Sequence, residues 1–255
     1  MRPDREGAAR GGRIGRRAVV AGAPLLAAGR TLAGPAAPGG AVDLLLVLAM
    51  DASGSIDDAE FRLQRQGYAE ALTDPAVLAA IAGRPGGEPS GAIAVSVVEW
   101  GAPGGAATAV GWRRVGDAAE ARALATALLA APRSPQSYNA IGDAIDHAAA
   151  SIRAAPFAAS ARIIDISGDG PDLRSLRPAA QARDAAVAEG ITVNALAIGG
   201  EALAAHYRQA VIGGPGAFVL VAADRRDFAR AIRAKLVREI AARPGAGAGG
   251  PAMPG

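Results

Sequence analysis

The chain contains no cysteine, which excludes disulfides, thiolate metal sites and thiol nucleophiles. Histidine occurs twice, as His147 and His206, far apart and on predicted helices. Neither is placed to serve as a base for a serine nucleophile, and both read as structural or solvent-facing. The one lysine is Lys235, remote from every glycine-rich loop. No G-x-x-x-x-G-K-[ST] phosphate loop and no G-x-S-x-G nucleophile elbow is present. Aromatics make up 4% of the chain, so the core must be built from Ala, Val, Ile and Leu. The one long apolar run outside the strand-like segments, Ala18 to Ala28, is too short for a stable membrane span.

What is there is a 255-residue chain, 51% apolar, which suits one sizeable domain with flanking segments. Its net charge of +3 misleads. Residues 1–36 hold seven arginines against Asp4 and Glu6, and without them 20 basic residues face 22 acidic ones. The remainder carries no basic stripe, which argues against nucleic acid as a partner. Residues 1–36 follow the order of a secretory signal peptide: basic stretch, apolar run, then small residues and prolines. Arg16-Arg17 resembles the twin-arginine export signal, although the residues around the pair are incomplete, so the export route stays open. The expected location is the periplasm or the exterior. Residues 243–255 are Gly, Pro and Ala without apolar periodicity and read as a disordered tail.

Residues 41–242 alternate strand and helix. Val42–Met50 is an apolar run of the kind that forms a strand buried on both faces. Asp57–Ala82 is helical, with a break near Asp74-Pro75, and Gly83–Gly91 is a turn-rich loop. Ala92–Trp100 and Ala107–Val115 are strands whose link is too short for a crossover, so they should be antiparallel. Helices follow at 117–131 and 139–154, a strand at 162–167, and a helix at 178–189 ended by Gly190. The rest reads as a strand at 191–198, a helix at 201–211, a strand at 217–221 and a last helix capped by Asp224. The expected fold is α/β: a doubly wound, mostly parallel six-stranded sheet with one antiparallel edge strand and helices on both faces.

In such a sheet ligands bind beyond the carboxyl ends of the strands. After the first strand comes Asp51-Ala-Ser53-Gly-Ser55, and after the fourth Ser167-Gly-Asp169-Gly170. Two carboxylates with small hydroxyl side chains are a hard-oxygen donor set suited to Mg2+, or to Mn2+ in its place. Two carboxylates leave such an ion able to accept an acidic group from a partner. The plain alternative is that Asp51, Ser53 and Ser55 cap the following helix and Asp169 is a turn residue. Asp165 inside its strand and Glu99 at a strand end read as structural acceptors, Asp165 for neighbouring loops. Asp172 reads as loop solvation, with a place on the rim of the metal site as the alternative.

D-x-S-x-S directly after the first buried strand resembles the opening of von Willebrand factor A (vWA) domains, where it forms the metal-ion-dependent adhesion site (MIDAS). Asp51, Ser53 and Ser55 occupy its three positions, and Asp169-Gly170 matches the third loop of that family. The second loop of the family carries a threonine three residues ahead of a glycine. Here the glycine is Gly142 and the residue three before it is Asn139. The resemblance therefore implies Asn139 as a fifth ligand, with Ser137 as an alternative and an ordinary N-cap as the bland reading. More specifically, LVLAMDASGSID, VSVVEW, IIDISGDGPD, VIGGPGAFV and AIRAKLVREI are similar to a bacterial group, domain of unknown function 1194. That likeness implies an exported or periplasmic protein without an assigned reaction. With the metal site, the expected function is a non-enzymatic binding module that captures an acidic group of a protein or peptide. The alternatives are a structural domain with a degenerate site, or a magnesium-dependent hydrolase. The hydrolase reading lacks the second aspartate of a haloacid-dehalogenase-like site, because Ser53 stands there.

Overall fold

A computed structural model describes residues 39–83, 91–224 and 226–242, all within one unit, Pro35–Gly255. The expected leader, the expected tail and most of the Gly83–Gly91 loop lie outside the described residues. The elements run β1 (Ala41–Asp51), α1 (Asp58–Thr73), α2 (Pro75–Ala82), β2 (Ile93–Trp100), β3 (Ala107–Val115), α3 (Ala118–Ala130) and α4 (Ile141–Arg153). Then come β4 (Ala158–Gly168), α5 (Ala179–Ala188), β5 (Thr192–Ile198), α6 (Glu201–Ala210), β6 (Val219–Ala222) and α7 (Phe228–Ala241). The six strands lie in the order β3-β2-β1-β4-β5-β6, parallel except for β3, which pairs antiparallel with β2 at the edge. The chain reverses direction across the sheet at β1, between β2 and β4, and there the ends of β1 and β4 lie side by side.

The alternation of β1 explains how a nearly unbroken apolar run serves two cores. Leu44, Leu46, Leu48 and Met50 face one side, against Tyr68, Leu124, Phe228 and Leu236. Leu45, Val47 and Ala49 face the other, against Ile141, Ile145, Ala182 and Ala204. Helices α1, α2, α3 and α7 cover the first face and α4, α5 and α6 the second. The second face is alanine-rich, which lets its helices lie close to the sheet. Asp74 ends α1 and starts α2, its carboxylate accepting from Ala76 N with Pro75 at the first helical position. Gly190, at φ +76°, ends the α5 segment.

Four local expectations fail. β4 begins at Ala158, because Ala158–Ala161 extend the ladder with β1 despite their low strand propensity. α4 begins at Ile141, so Asn139 precedes the helix and is not its N-cap. α7 begins at Phe228, and Asp224 instead braces the preceding turn by accepting from Arg226 N and Asp227 N. Asp165 meets a helix rather than loops. It forms a fully buried ion pair with Lys235 of α7, whose Nζ also contacts Glu239 at 2.6 Å. Asn194 of β5 donates to Glu239 at 2.9 Å.

Candidate metal centre

The end of β1 is held rigidly. Ala52 N donates to Trp100 O at 2.9 Å, Trp100 Nε1 to Ala49 O at 3.1 Å, and Gln64 Nε2 to Asp51 O at 3.0 Å. The Arg133 guanidinium reaches the carbonyls of Ala52, Ser53 and Ile56 at 3.2, 3.3 and 2.7 Å, pairs with Asp58 at 2.8 Å and lies 4.5 Å from the Phe61 ring centroid. The loop therefore owes its shape to a residue some 80 positions downstream.

On that frame Asp51, Ser53, Ser55 and Asp169 come together. Ser53 N donates to Asp51 Oδ1 at 2.8 Å, and Asp169 N approaches Asp51 Oδ2 at 3.4 Å. The hydroxyls of Ser53 and Ser55 are 2.9 Å apart, and Ser55 Oγ donates to Asp169 Oδ1 at 3.3 Å. Asp51 is fully buried and Ser55 is exposed, so the cluster opens to solvent on one side. None of the first-loop residues caps α1. Asp57 does, accepting from Ala59 N and Glu60 N, while Glu60 returns to Asp57 N in a capping box. The bland reading of the D-x-S-x-S loop thus loses its helix.

Asn139 lies in the loop before α4, its amide nitrogen packed against Gly170, where a Cβ would collide with it. Its Oδ1 is buried without a hydrogen-bond partner. Ser137 is exposed. Gly142 is required by close approach, since a Cβ there would overlap the Arg177 carbonyl. With Ala140 at its N-cap, α4 has no cap of its own. Asp172 supplies one from the third loop, its carboxylate accepting from Ile141 N at 2.9 Å and from Ala179 N at 2.9 Å, where α5 starts. Asp172 is therefore a clamp between two helix starts, not a solvated loop residue. Tyr207 Oη donates to Gly170 O at 2.9 Å and fixes the third loop from beneath. Burial, with Asp51, Asp169 and Asp172 nearby, raises the Tyr207 phenol well above its ordinary range. Arg133 and Tyr207 carried no motif in the sequence.

Burial, aided by the neighbouring Asp169 charge, pushes the Asp51 carboxyl up from 3.8 to about 7. Among the described residues no three acidic or imidazole side chains converge, so a cation here would rely on two carboxylates with hydroxyl, amide and water oxygens. The residues present fit such an ion. A buried carboxylate is held against its own ionisation, and a buried amide oxygen lacks a donor. Glu99, by contrast, is spent structurally on Arg65 and on the Ser134 N–H and hydroxyl, each of the latter at 2.7 Å. His147 bonds Thr108 at 3.0 Å.

This sheet order is that of a vWA-type fold, and the chain carries D-x-S-x-S after β1 and Asp-Gly after β4. The chain belongs to the family described as protein of unknown function DUF1194, which matches residues 41–244. Among solved structures it resembles the pilus adhesin SpaC from Lactobacillus rhamnosus GG (TM-score 0.56, 15% identity, 78% of this chain and 30% of that one). It also resembles proximal thread matrix protein 1 from the mussel byssus (0.57, 16%, 78% and 46%), of which a further structure has a zinc-occupied MIDAS motif. A third is a von Willebrand factor type A protein from Catenulispora acidiphila (0.54, 18%, 79% and 43%). At these identities the likeness is one of fold, and the chain spans less than half the length of each. No curated protein matches the sequence at a significant level.

Proposed function

We propose that this chain is an exported binding module. In this reading Asp51, Ser53, Ser55, Asn139 and Asp169 hold a divalent cation, Mg2+ or Mn2+, and the site captures an acidic group of a protein or peptide. The observation that carries the reading is the state of Asp51. Its carboxyl is fully buried, faces a second carboxylate, and takes no Lys, Arg or His partner among the described residues. A fold retains such a group where a cation neutralises it. When bound, the ion supplies a positive charge with an open position for a carboxylate. The protein's part is positional: Arg133 fixes the first loop, Asp172 and Gly142 the second, Tyr207 the third. The start of α4 is already taken by the Asp172 carboxylate, so the attraction for an acidic group rests on the ion. In this reading the site binds and carries out no reaction.

The test is thermal unfolding of the full chain in EDTA and then with millimolar Mg2+, Mn2+, Ca2+ or Zn2+. Binding to the folded state alone adds roughly 2.7 kcal/mol at a hundred times the dissociation constant. A rise in midpoint with Mg2+ or Mn2+, lost in Asp51→Ala and in Asp169→Ala, supports the site. No rise with any ion favours instead a structural domain disabled by Asn139.

A further inference from the structure

Five large apolar side chains are exposed among the described residues, and three of them, Tyr138, Leu173 and Leu176, lie on the two loops beside the candidate ligands Asn139 and Asp169. Their exposures are 53%, 52% and 78%. The loop that carries the leucines is not loose. Leu173 N donates to Asn139 O at 2.5 Å, Leu176 N to the Asp143 carboxylate at 3.2 Å, and Ser175 Oγ to Asp172. Its backbone is anchored on both sides while its leucines stay in water, so the fold itself makes little use of those side chains. Arg174, between them, is the one non-glycine residue with positive φ among the described residues, at +67°. That conformation is disfavoured for an L residue with a Cβ, and persists only where the surroundings impose it. Its guanidinium lies 4.7 Å from the Tyr138 ring centroid. Tyr138 in turn sits where the first and second loops meet, since a Cβ on Gly101 would touch both Ser53 Cα and Tyr138 O at 3.0 Å.

We infer that these four residues form a specificity rim, and that the occupant of the site is a protein segment in which the captured acidic residue is flanked by aliphatic side chains. The inference rests on the metal-site reading above and adds what surrounds the carboxylate. Tyr138, Leu173 and Leu176 expose apolar side chains from two loops joined by the Leu173 N–Asn139 O bond, and apolar exposure rimmed by polar groups marks an interaction site. The Arg174 guanidinium, stacked on an aromatic face, adds positive charge, which matches an acidic segment and disfavours a basic one. An anchored backbone also loses little entropy when the rim is covered.

Two-dimensional NMR of the 15N-labelled full chain, titrated in Mn2+-free buffer with Mg2+ or with EDTA, tests this. The probes are acetate and the blocked peptides Gly-Leu-Glu-Leu-Gly, Gly-Gly-Glu-Gly-Gly and Gly-Leu-Gln-Leu-Gly. The expected result is Mg2+-dependent binding of acetate and of both glutamate peptides, the leucine-flanked one at least about tenfold tighter, and none of the glutamine peptide. In Leu173→Ser/Leu176→Ser that preference should disappear while acetate binding stays. Arg174→Asn, which tolerates positive φ, should weaken acetate and both glutamate peptides alike and leave the preference between the two peptides in place. Equal binding of the two glutamate peptides, or a preference that survives the double substitution, overturns the rim and leaves the metal reading standing. Loss of Mg2+ dependence for acetate and peptides alike overturns both.

Discussion

The lone lysine shows what a single residue does when its charge is taken out of water. Lys235 is fully buried between Asp165 and Glu239, two carboxylates against one ammonium, with Tyr68 close enough to feel both acids. Burial, together with the Asp165 charge, pushes Glu239 up from 4.5 to about 7, with Lys235 opposing. The folded state therefore binds a proton at Glu239 in the interval between those values, where the unfolded chain has released it. Stability should fall as pH rises from about 4.5 to about 7, and be flat in this respect outside that window. Glu239→Gln keeps an acceptor for Lys235 and Asn194 and cannot ionise. Denaturant unfolding from pH 4.5 to 8.5 should show the wild type losing ground to this variant, on the order of 3 kcal/mol at the alkaline end. A constant difference across the range would refute the assignment. Lys235→Met leaves two buried carboxylates uncompensated and should cost about 3–5 kcal/mol at pH 8, with partial recovery in acid.

Elements were legible where a period or a punctuation mark was present, and illegible where tertiary packing overrode both. The buried run of β1, the break at Asp74-Pro75, the short Gly101–Gly105 link and Gly190 each fix a boundary by local physics, and each lies where the sequence places it. The start of α4 does not. Asn139 is a good N-cap by type, but the cap comes from Asp172, more than thirty residues later, which no local pattern encodes. Asp51, Ser53, Ser55 and Asp169 could be found from their place after strands, whereas Arg133 and Tyr207 act through contacts that only the folded chain brings about. Gly142 offers a test at this scale. A methyl group there would strike the Arg177 carbonyl and drive α4 away from the loop it shares with Asp172. Gly142→Ala should destabilise by about 1–3 kcal/mol, against the usual gain from replacing a helical glycine. It should also weaken the metal-dependent rise in melting temperature, because the second loop moves with the helix. Unchanged stability and metal response would mean that the helix and that loop are not coupled.

At the scale of the molecule, stability and the proposed function pull in opposite directions at the end of β1. The two apolar cores on either face of the sheet hold the fold, and neither needs Asp51 to be charged. The Asp51 carboxyl has an ordinary value of 3.8 and a folded value near 7, so above pH 7 its ionisation weighs fully against the folded state, and below about 3.8 the effect vanishes. Asp51→Asn removes that burden and retains an oxygen for the Ser53 N–H. In EDTA at pH 8 the variant should melt above the wild type, by roughly 2–4 °C for each kcal/mol relieved in a chain of this size. With saturating Mg2+ or Mn2+ the order should reverse, because the wild type gains binding free energy that the variant lacks. That inversion separates the two accounts of the site. A carboxylate kept for structure would make the variant less stable under both conditions, whereas one kept for a cation is a liability until the cation arrives.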